Sequence, residues 1–146
     1  VMVPKEVDNL LLPVPVSGSH IGFSTLRMEP CWMAMGQAAG IASALSIDGK
    51  VKVQNIDLSR LQDKLIDQKA TLMYFKDVDY TSPHFRMVQY LGLRGYLPEW
   101  TARLQEPVDA TTLAAWKKLS GTDLPGIEAG KTTRLATLEM IYRKIK

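Results

Sequence analysis

The stretch PCWMAMGQAAGIASALSI, residues 30–47, contains 18 residues and no charged side chain. Proline is favoured in the first turn of a helix and glycine just after the last turn, so the stretch predicts a long helix that ends near Asp48-Gly49. Gly36 and Gly40, with alanines at the same spacing, let another element or a ligand approach the helix backbone closely. The pattern is typical of a helix buried in a large core or contacted by a ligand, and the two are compatible.

A membrane span is the main alternative for this stretch, because about 20 mainly apolar residues suffice to cross a bilayer. Gln37, Ser43 and Ser46 are polar, and small residues are in the majority. We therefore predict no transmembrane segment. An uncharged helix surface without its packing partner is instead expected to be buried against another molecule, as in a homo-oligomer.

The composition limits the function classes. With 146 residues, 46% hydrophobic and 23% charged, the chain has room for one ordinary domain or two very small ones and is not disordered. The net charge is +3 and no Lys/Arg run exceeds two residues, so nucleic-acid binding is not predicted. A single cysteine, Cys31, excludes an internal disulfide and a cysteine-rich zinc site. Residues 1–5 do not resemble a signal peptide. We expect the sequence to be a piece of a longer chain, and it does not indicate the cellular compartment of that parent protein.

The segments before and after the uncharged helix predict little regular structure. Residues 10–16 (LLLPVPV) are apolar and extended, and their two prolines confine such a strand to a sheet edge. Residues 17–24 (SGSHIGFS) predict a small polar loop with two glycines. Residues 70–75 predict a short strand or an extended link.

Four further helices are predicted from their start signals: Asp57, Ser82-Pro83, Asp109 and Thr132-Thr133 each precede an amphipathic run. The apolar positions of these runs recur with helical spacing and are Leu58, Leu61 and Leu65; Phe85, Val88 and Leu91; Leu113 and Trp116; and Leu135, Leu138, Ile141, Tyr142 and Ile145. The expected fold is therefore mainly α with a short N-terminal strand. We expect one part over residues 1–74 and a small helical bundle over residues 75–146.

Two sequence segments within residues 1–74 resemble a known family. Residues 17–30 (SGSHIGFSTLRMEP), followed by GQAAG at residues 36–40, resemble the C-terminal end of the FAD-binding domain in a bacterial family of FAD-dependent oxidoreductases. Members of that family are sometimes labelled xanthan lyases. The resemblance covers about residues 9–68, and it is loosely similar to the last flavin-contacting segment of the succinate dehydrogenase and fumarate reductase type.

The resemblance implies roles for individual residues. Backbone N–H groups and the positive end of the helix dipole would face the negative charge that reduction places on the flavin. Arg27 would neutralise the reduced flavin or hold an anionic substrate, and His20 would act on the substrate as acid, base or hydrogen-bond donor. The alternatives to these functional roles are structural: Arg27 would form an ion pair with Glu29 or another carboxylate, and His20 would hydrogen-bond to the backbone. The residues expected to contact FAD are Ser19, Ser24, Leu26, Arg27, Met28, Glu29 and Met33.

The sequence contains no GxGxxG phosphate-binding motif, which opens the FAD site in such proteins. By resemblance, that part lies on chain upstream of this sequence. We therefore expect the parent protein to be the FAD-dependent enzyme and the rest of its chain to be the partner of this piece. The fragment alone is expected to bind FAD weakly or not at all and to be inactive.

The tail resembles surface-layer-homology (SLH) repeats in residues 75–78 (FKDV), 82–85 (SPHF) and 95–97 (GYL), and in Thr132-Thr133-Arg134. The resemblance implies attachment to charged cell-wall polysaccharide through a Thr-Arg-Ala-Glu turn, although Leu135 and Ala136 stand where Ala and Glu would be. We expect a structural bundle, with non-enzymatic polysaccharide binding or assembly as the alternative function. The aromatic residues expected in its core are Phe85, Tyr90, Tyr96, Trp100 and Trp116.

Overall fold

The computed structural model describes residues 2–146, and the chain divides into two compact units, unit 1 (Val1–Ala70) and unit 2 (Thr71–Lys146). The mainly helical fold is confirmed. Unit 1 contains α1 (His20–Leu26), α2 (Glu29–Gly49), a 3₁₀ turn (Val53–Asn55) and α3 (Leu58–Asp67), and unit 2 contains α4 (Phe85–Gly92), α5 (Ala110–Ser120) and α6 (Arg134–Ile145).

The long helix predicted from the uncharged stretch is α2. Pro30 lies in its first turn. The helix ends one residue later than predicted, because Lys50 rather than Gly49 takes the left-handed conformation, with φ of 51°. Its buried face packs against the 3₁₀ turn and α3 and consists of Ala39, Ala42 and Leu45. Within residues 2–146, no helix is long and apolar enough to cross a bilayer.

The predicted N-terminal strand is wrong. Residues 10–16 are irregular, and their backbone bonds, from the Leu12 N–H to the Met2 carbonyl and from the Val16 N–H to the Val14 carbonyl, both at 2.8 Å, form no ladder. The two prolines remove ladder donors, so the single bond to Met2 does not extend into strand pairing within residues 2–146. Residues 70–75 form no strand either. In the described part of the chain, β pairing is limited to one isolated bridge between Pro107 and Thr133.

The polar loop predicted for residues 17–24 is largely helical instead, because α1 begins at His20. Ser19 caps it, and its hydroxyl oxygen accepts the Gly22 N–H at 3.1 Å. A serine cap contributes about 1 kcal/mol, which offsets a glycine cost of similar size inside a helix. The two glycines of this segment therefore do not prevent a short helix.

Two caps predicted for unit 2, Asp109 and Thr133, are confirmed, whereas α4 begins at Phe85 with His84 as its N-cap and not at Ser82-Pro83. Asp109 accepts the Thr112 N–H at 2.8 Å, and hydrogen bonds from Thr112 hold the pKa of Asp109 below its usual value. Thr133 accepts the Ala136 N–H at 3.2 Å, and α4 packs against α6. Of the aromatic residues expected in the core, Trp100 is an exception, since its side chain is 69% exposed. The buried core residues include Phe75, Phe85, Val88, Leu91, Tyr96, Leu97, Trp116, Leu138 and Ile141.

Candidate functional site

Of the residues predicted to contact FAD, Leu26, Arg27, Met28, Glu29 and Met33 lie where α1 meets α2, whereas Ser19 caps the other end of α1 and Ser24 lies within it. We call residues 26–33 the α1–α2 junction; Arg27 ends α1 and Met28 precedes α2 in an extended conformation. Leu26 is half-buried. The exposed members of the predicted set are Ser19, Ser24, Arg27, Met28, Glu29 and Met33.

Most backbone N–H groups at the turn between the two helices already donate within the chain. The bonds of 3.0–3.4 Å made there belong to Arg27, Met28, Cys31 and Trp32. Pro30 has no N–H. Among the described residues, no acceptor is found for the backbone N–H of Glu29. This group therefore remains available at the first position of a 21-residue helix, where the helix dipole favours negative charge.

His20 and Arg27 lie at opposite ends of α1, and both are exposed. The His20 carbonyl accepts the Ser24 hydroxyl at 3.3 Å, which uses the backbone of His20 and leaves its ring exposed. No ion pair joins Arg27 to Glu29 in the part of the chain that the structure describes. The same part shows no hydrogen bond between the side chains of His20 and Arg27.

The side of α2 opposite its buried face is open and uncharged. Met33 and Ile47 are 74% and 75% exposed. A Cβ built at Gly36 or Gly40 would meet no atom within 4 Å. We call this surface the open face; its residues are Met33, Gly36, Gly40, Ala44 and Ile47. Ile21 and Phe23 on α1 and Met28 at the junction are exposed apolar side chains as well, so both helices carry apolar surface that no described residue covers.

Unit 2 contains a cavity of about 200 Å³ that no pattern in the sequence indicated, because its lining comes from α5, α6 and the chain between α4 and α5. We call it the Arg134 cavity. Arg134 is 6% exposed, its Nε donates to the Ala102 carbonyl at 2.9 Å, and its guanidinium carbon lies 4.9 Å from the Trp116 ring centroid. Thr111 and Thr112 also line the cavity.

Arg134 is buried without a carboxylate in ion-pair contact among residues 2–146. Burial lowers the pKa of Arg134 and the neighbouring Arg103 lowers it further, whereas more distant carboxylates raise it. An arginine stays protonated near neutral pH under such shifts. A buried cation without a paired anion is costly. The cavity lining carries Arg103 and Arg134 against one carboxylate, Glu99, which pairs with Arg103, so its net positive charge suits an anion.

No cluster of His, Cys, Asp or Glu side chains suited to a metal ion occurs among the residues that the structure describes.

Comparison with known proteins bears on unit 1. Residues 1–65 match the family model described as FAD dependent oxidoreductase. The matched range contains the α1–α2 junction and the open face and ends within α3. No curated protein and no solved structure matches the chain. The match covers 65 of the 146 residues and shows that unit 1 is similar to FAD-dependent oxidoreductases, whose cofactor is FAD.

Proposed function

We propose that unit 1 supplies the last flavin-contacting loop and helix N-terminus of an FAD-dependent oxidoreductase. The nucleotide-binding part of the site would be carried by chain outside this sequence. The observation that carries the proposal is the unused Glu29 N–H at the start of α2, beside an open uncharged face and inside the range that matches the family.

The residues of the junction fit the edge of a flavin ring. The Glu29 N–H can donate to a ring oxygen or nitrogen, and the dipole of α2 favours extra negative charge there. Met28 and Phe23 offer exposed apolar surface to a planar ring, and Gly36 permits a close approach to α2. When bound, FAD would supply hydride or electron transfer.

Two further side chains complete the proposed arrangement. Arg27 is exposed and, in the described part, has no carboxylate in ion-pair contact, so we assign it to an anionic group of the substrate or of the reduced cofactor. The exposed ring of His20 would exchange a proton with the bound substrate. Both roles depend on the flavin lying at the junction.

We expect Glu29→Pro to weaken FAD binding by the complete oxidoreductase roughly 2- to 13-fold, since one hydrogen bond contributes about 0.5–1.5 kcal/mol. Proline removes the N–H and suits the first position of a helix, and Met28 before it already has an extended backbone. The matched control is Glu29→Gln, which removes the carboxylate but keeps the N–H. FAD affinity is measured by flavin fluorescence during titration of the apoprotein.

The complete protein should also release FAD when it is heat-denatured. Equal FAD affinities for the two Glu29 variants would exclude the N–H as a flavin donor. A complete protein that purifies without flavin and shows no saturable FAD binding would exclude the function itself.

A second candidate function rests on the Arg134 cavity, because a buried cation without a paired carboxylate favours an anionic ligand. We propose that unit 2 binds an acidic polysaccharide and that a sugar carboxylate reaches the Arg134 guanidinium. Arginine donates in a planar fork that matches a carboxylate. Unit 2 also carries the entire net charge of +3, with 11 Lys and Arg against 8 Asp and Glu.

We expect Arg134→Met to abolish measurable binding of the 146-residue chain to hyaluronan, a polysaccharide in which glucuronate alternates with a neutral sugar. Loss of a charge-assisted bond costs about 1.5–3 kcal/mol, roughly 10- to 150-fold in affinity. The control is Arg143→Met, which removes the same charge from an exposed position on α6. Binding is measured by retardation in gels that contain hyaluronan at low salt. Equal losses in both variants would indicate general charge attraction instead of a site.

A further inference from the structure

Two exposed aromatic side chains of unit 2 contact each other. Trp100 is 69% and Tyr74 64% exposed. Their ring centroids are 6.3 Å apart and their planes are nearly perpendicular, at 88°. Single exposed apolar residues are ordinary on protein surfaces, but a paired tryptophan and tyrosine form one continuous aromatic surface. We call it the Trp100–Tyr74 platform.

The backbone around the platform is held in place by hydrogen bonds. The Trp100 carbonyl accepts the Lys76 N–H at 2.8 Å. The Asp77 carboxylate accepts the N–H groups of Ala102 and Arg103 at 2.8 and 2.7 Å. These bonds tie the segment that carries Trp100 to the segment that follows Tyr74. The two rings are therefore presented by fixed backbone, and little ordering remains to be done when a ligand binds.

The platform adjoins the Arg134 cavity along the chain. Glu99 and Thr101, the two neighbours of Trp100, both line that cavity. A ligand that contacts the Trp100–Tyr74 platform and also enters the Arg134 cavity would meet an aromatic surface and a buried cation. The two are linked by Glu99 and Thr101, which flank Trp100 and line the cavity. Aromatic rings together with an anion site suit a polysaccharide in which a neutral sugar, with its apolar C–H face, alternates with a sugar that carries a carboxylate.

We propose that the Trp100–Tyr74 platform stacks a neutral pyranose ring of an acidic polysaccharide whose neighbouring carboxylate enters the Arg134 cavity. The C–H groups of a pyranose carry slight positive charge and are attracted to the negative face of an aromatic ring. The proposal rests on the second candidate function above and adds the subsite that recognises the uncharged sugar.

The test is a titration of the 146-residue chain with hyaluronan hexasaccharide, followed by calorimetry and by iodide quenching of tryptophan fluorescence. Trp100→Ala is expected to weaken binding about tenfold, and Trp100→Phe less than that, because an aromatic contact is worth about 0.5–1.5 kcal/mol. The control Tyr80→Ala removes an exposed tyrosine outside the pair and should leave the affinity unchanged. The hexasaccharide should also shield tryptophan from iodide in the wild type but not in Trp100→Ala.

The outcomes separate this proposal from the one on which it rests. If Trp100→Ala binds like the wild type while Arg134→Met does not bind, the platform is excluded and the cavity stands. If the wild type binds no hexasaccharide, both proposals fail. A change of oligomeric state in Trp100→Ala without a change in sugar affinity would identify the platform as a protein interface and would overturn the inference. Circular dichroism of each variant verifies that it is folded.

Discussion

Replacing Gln89 with leucine is expected to destabilise unit 2 by about 3–5 kcal/mol, because it leaves three buried backbone groups without a hydrogen-bond partner. Gln89 is fully buried in α4. Its Oε1 accepts the N–H groups of Leu72 and Met73, each at 2.8 Å, and its Nε2 donates to the Met73 carbonyl at 2.7 Å. Leucine fills a similar volume but satisfies none of these groups, and each unsatisfied buried group costs about 1–3 kcal/mol.

The measurement is urea unfolding followed by amide hydrogen exchange in Thr71–Lys146, which reports on unit 2 directly. A domain of this size has a total stability of roughly 4–11 kcal/mol, so the variant should lie near the limit of folding. The matched control, Gln105→Leu, makes the same change at an exposed position and should alter stability by less than about 0.5 kcal/mol. Similar losses in the two variants would contradict the role assigned to the Gln89 bonds.

Replacing Trp116 with alanine is expected to cost unit 2 about 3–5 kcal/mol, the usual loss for a large aromatic residue in a core. Trp116 is 2% exposed in α5, and its Nε1 donates to the Tyr96 carbonyl at 2.7 Å. Alanine leaves a cavity and an unpaired carbonyl. It also removes the ring over which the Arg134 guanidinium lies, so the Arg134 cavity should lose its shape as well.

Trp116→Phe separates packing from hydrogen bonding. Phenylalanine keeps most of the ring but cannot donate to Tyr96, so we expect a loss of about 1–3 kcal/mol, smaller than for alanine. Unfolding of both variants is measured in urea, as for Gln89. A phenylalanine variant as unstable as the alanine variant would mean that the hydrogen bond, and not the packed ring, provides the stability. Hyaluronan binding by the phenylalanine variant then shows whether the cavity survives.

Much of the fold was predictable from local pattern. Asp109 and Thr133 are caps whose side chains bond N–H groups three residues later in the chain, and such contacts are encoded within one turn. The burial of Trp116 follows from its position on an amphipathic run. The strand expected at residues 10–16 did not form, because a strand needs a partner elsewhere in the chain and a local pattern does not provide one.

The candidate site was predictable only in part. The family match over residues 1–65 supports the resemblance from which the site residues were named, but Ser19 and His20 lie at the end of α1 away from the α1–α2 junction. Which N–H groups remain free there was not predictable, because short bonds within the turn use those of Arg27, Met28, Cys31 and Trp32. Whether the junction contacts flavin stays a prediction.

The sequence by itself determined α2, α3, α5 and α6, the caps Asp57, Asp109 and Thr133, and the uncharged character of α2, since each depends on residues a few positions apart. The tertiary structure alone decided that Gln89 is buried, that Arg134 lies against Trp116 without a paired carboxylate in the described part, and that Trp100 is exposed. Gln89 bonds residues 16 and 17 positions away, and Arg134 bonds Ala102 across 32 positions. Such contacts depend on how separate segments pack, so no local pattern of residue types specifies them.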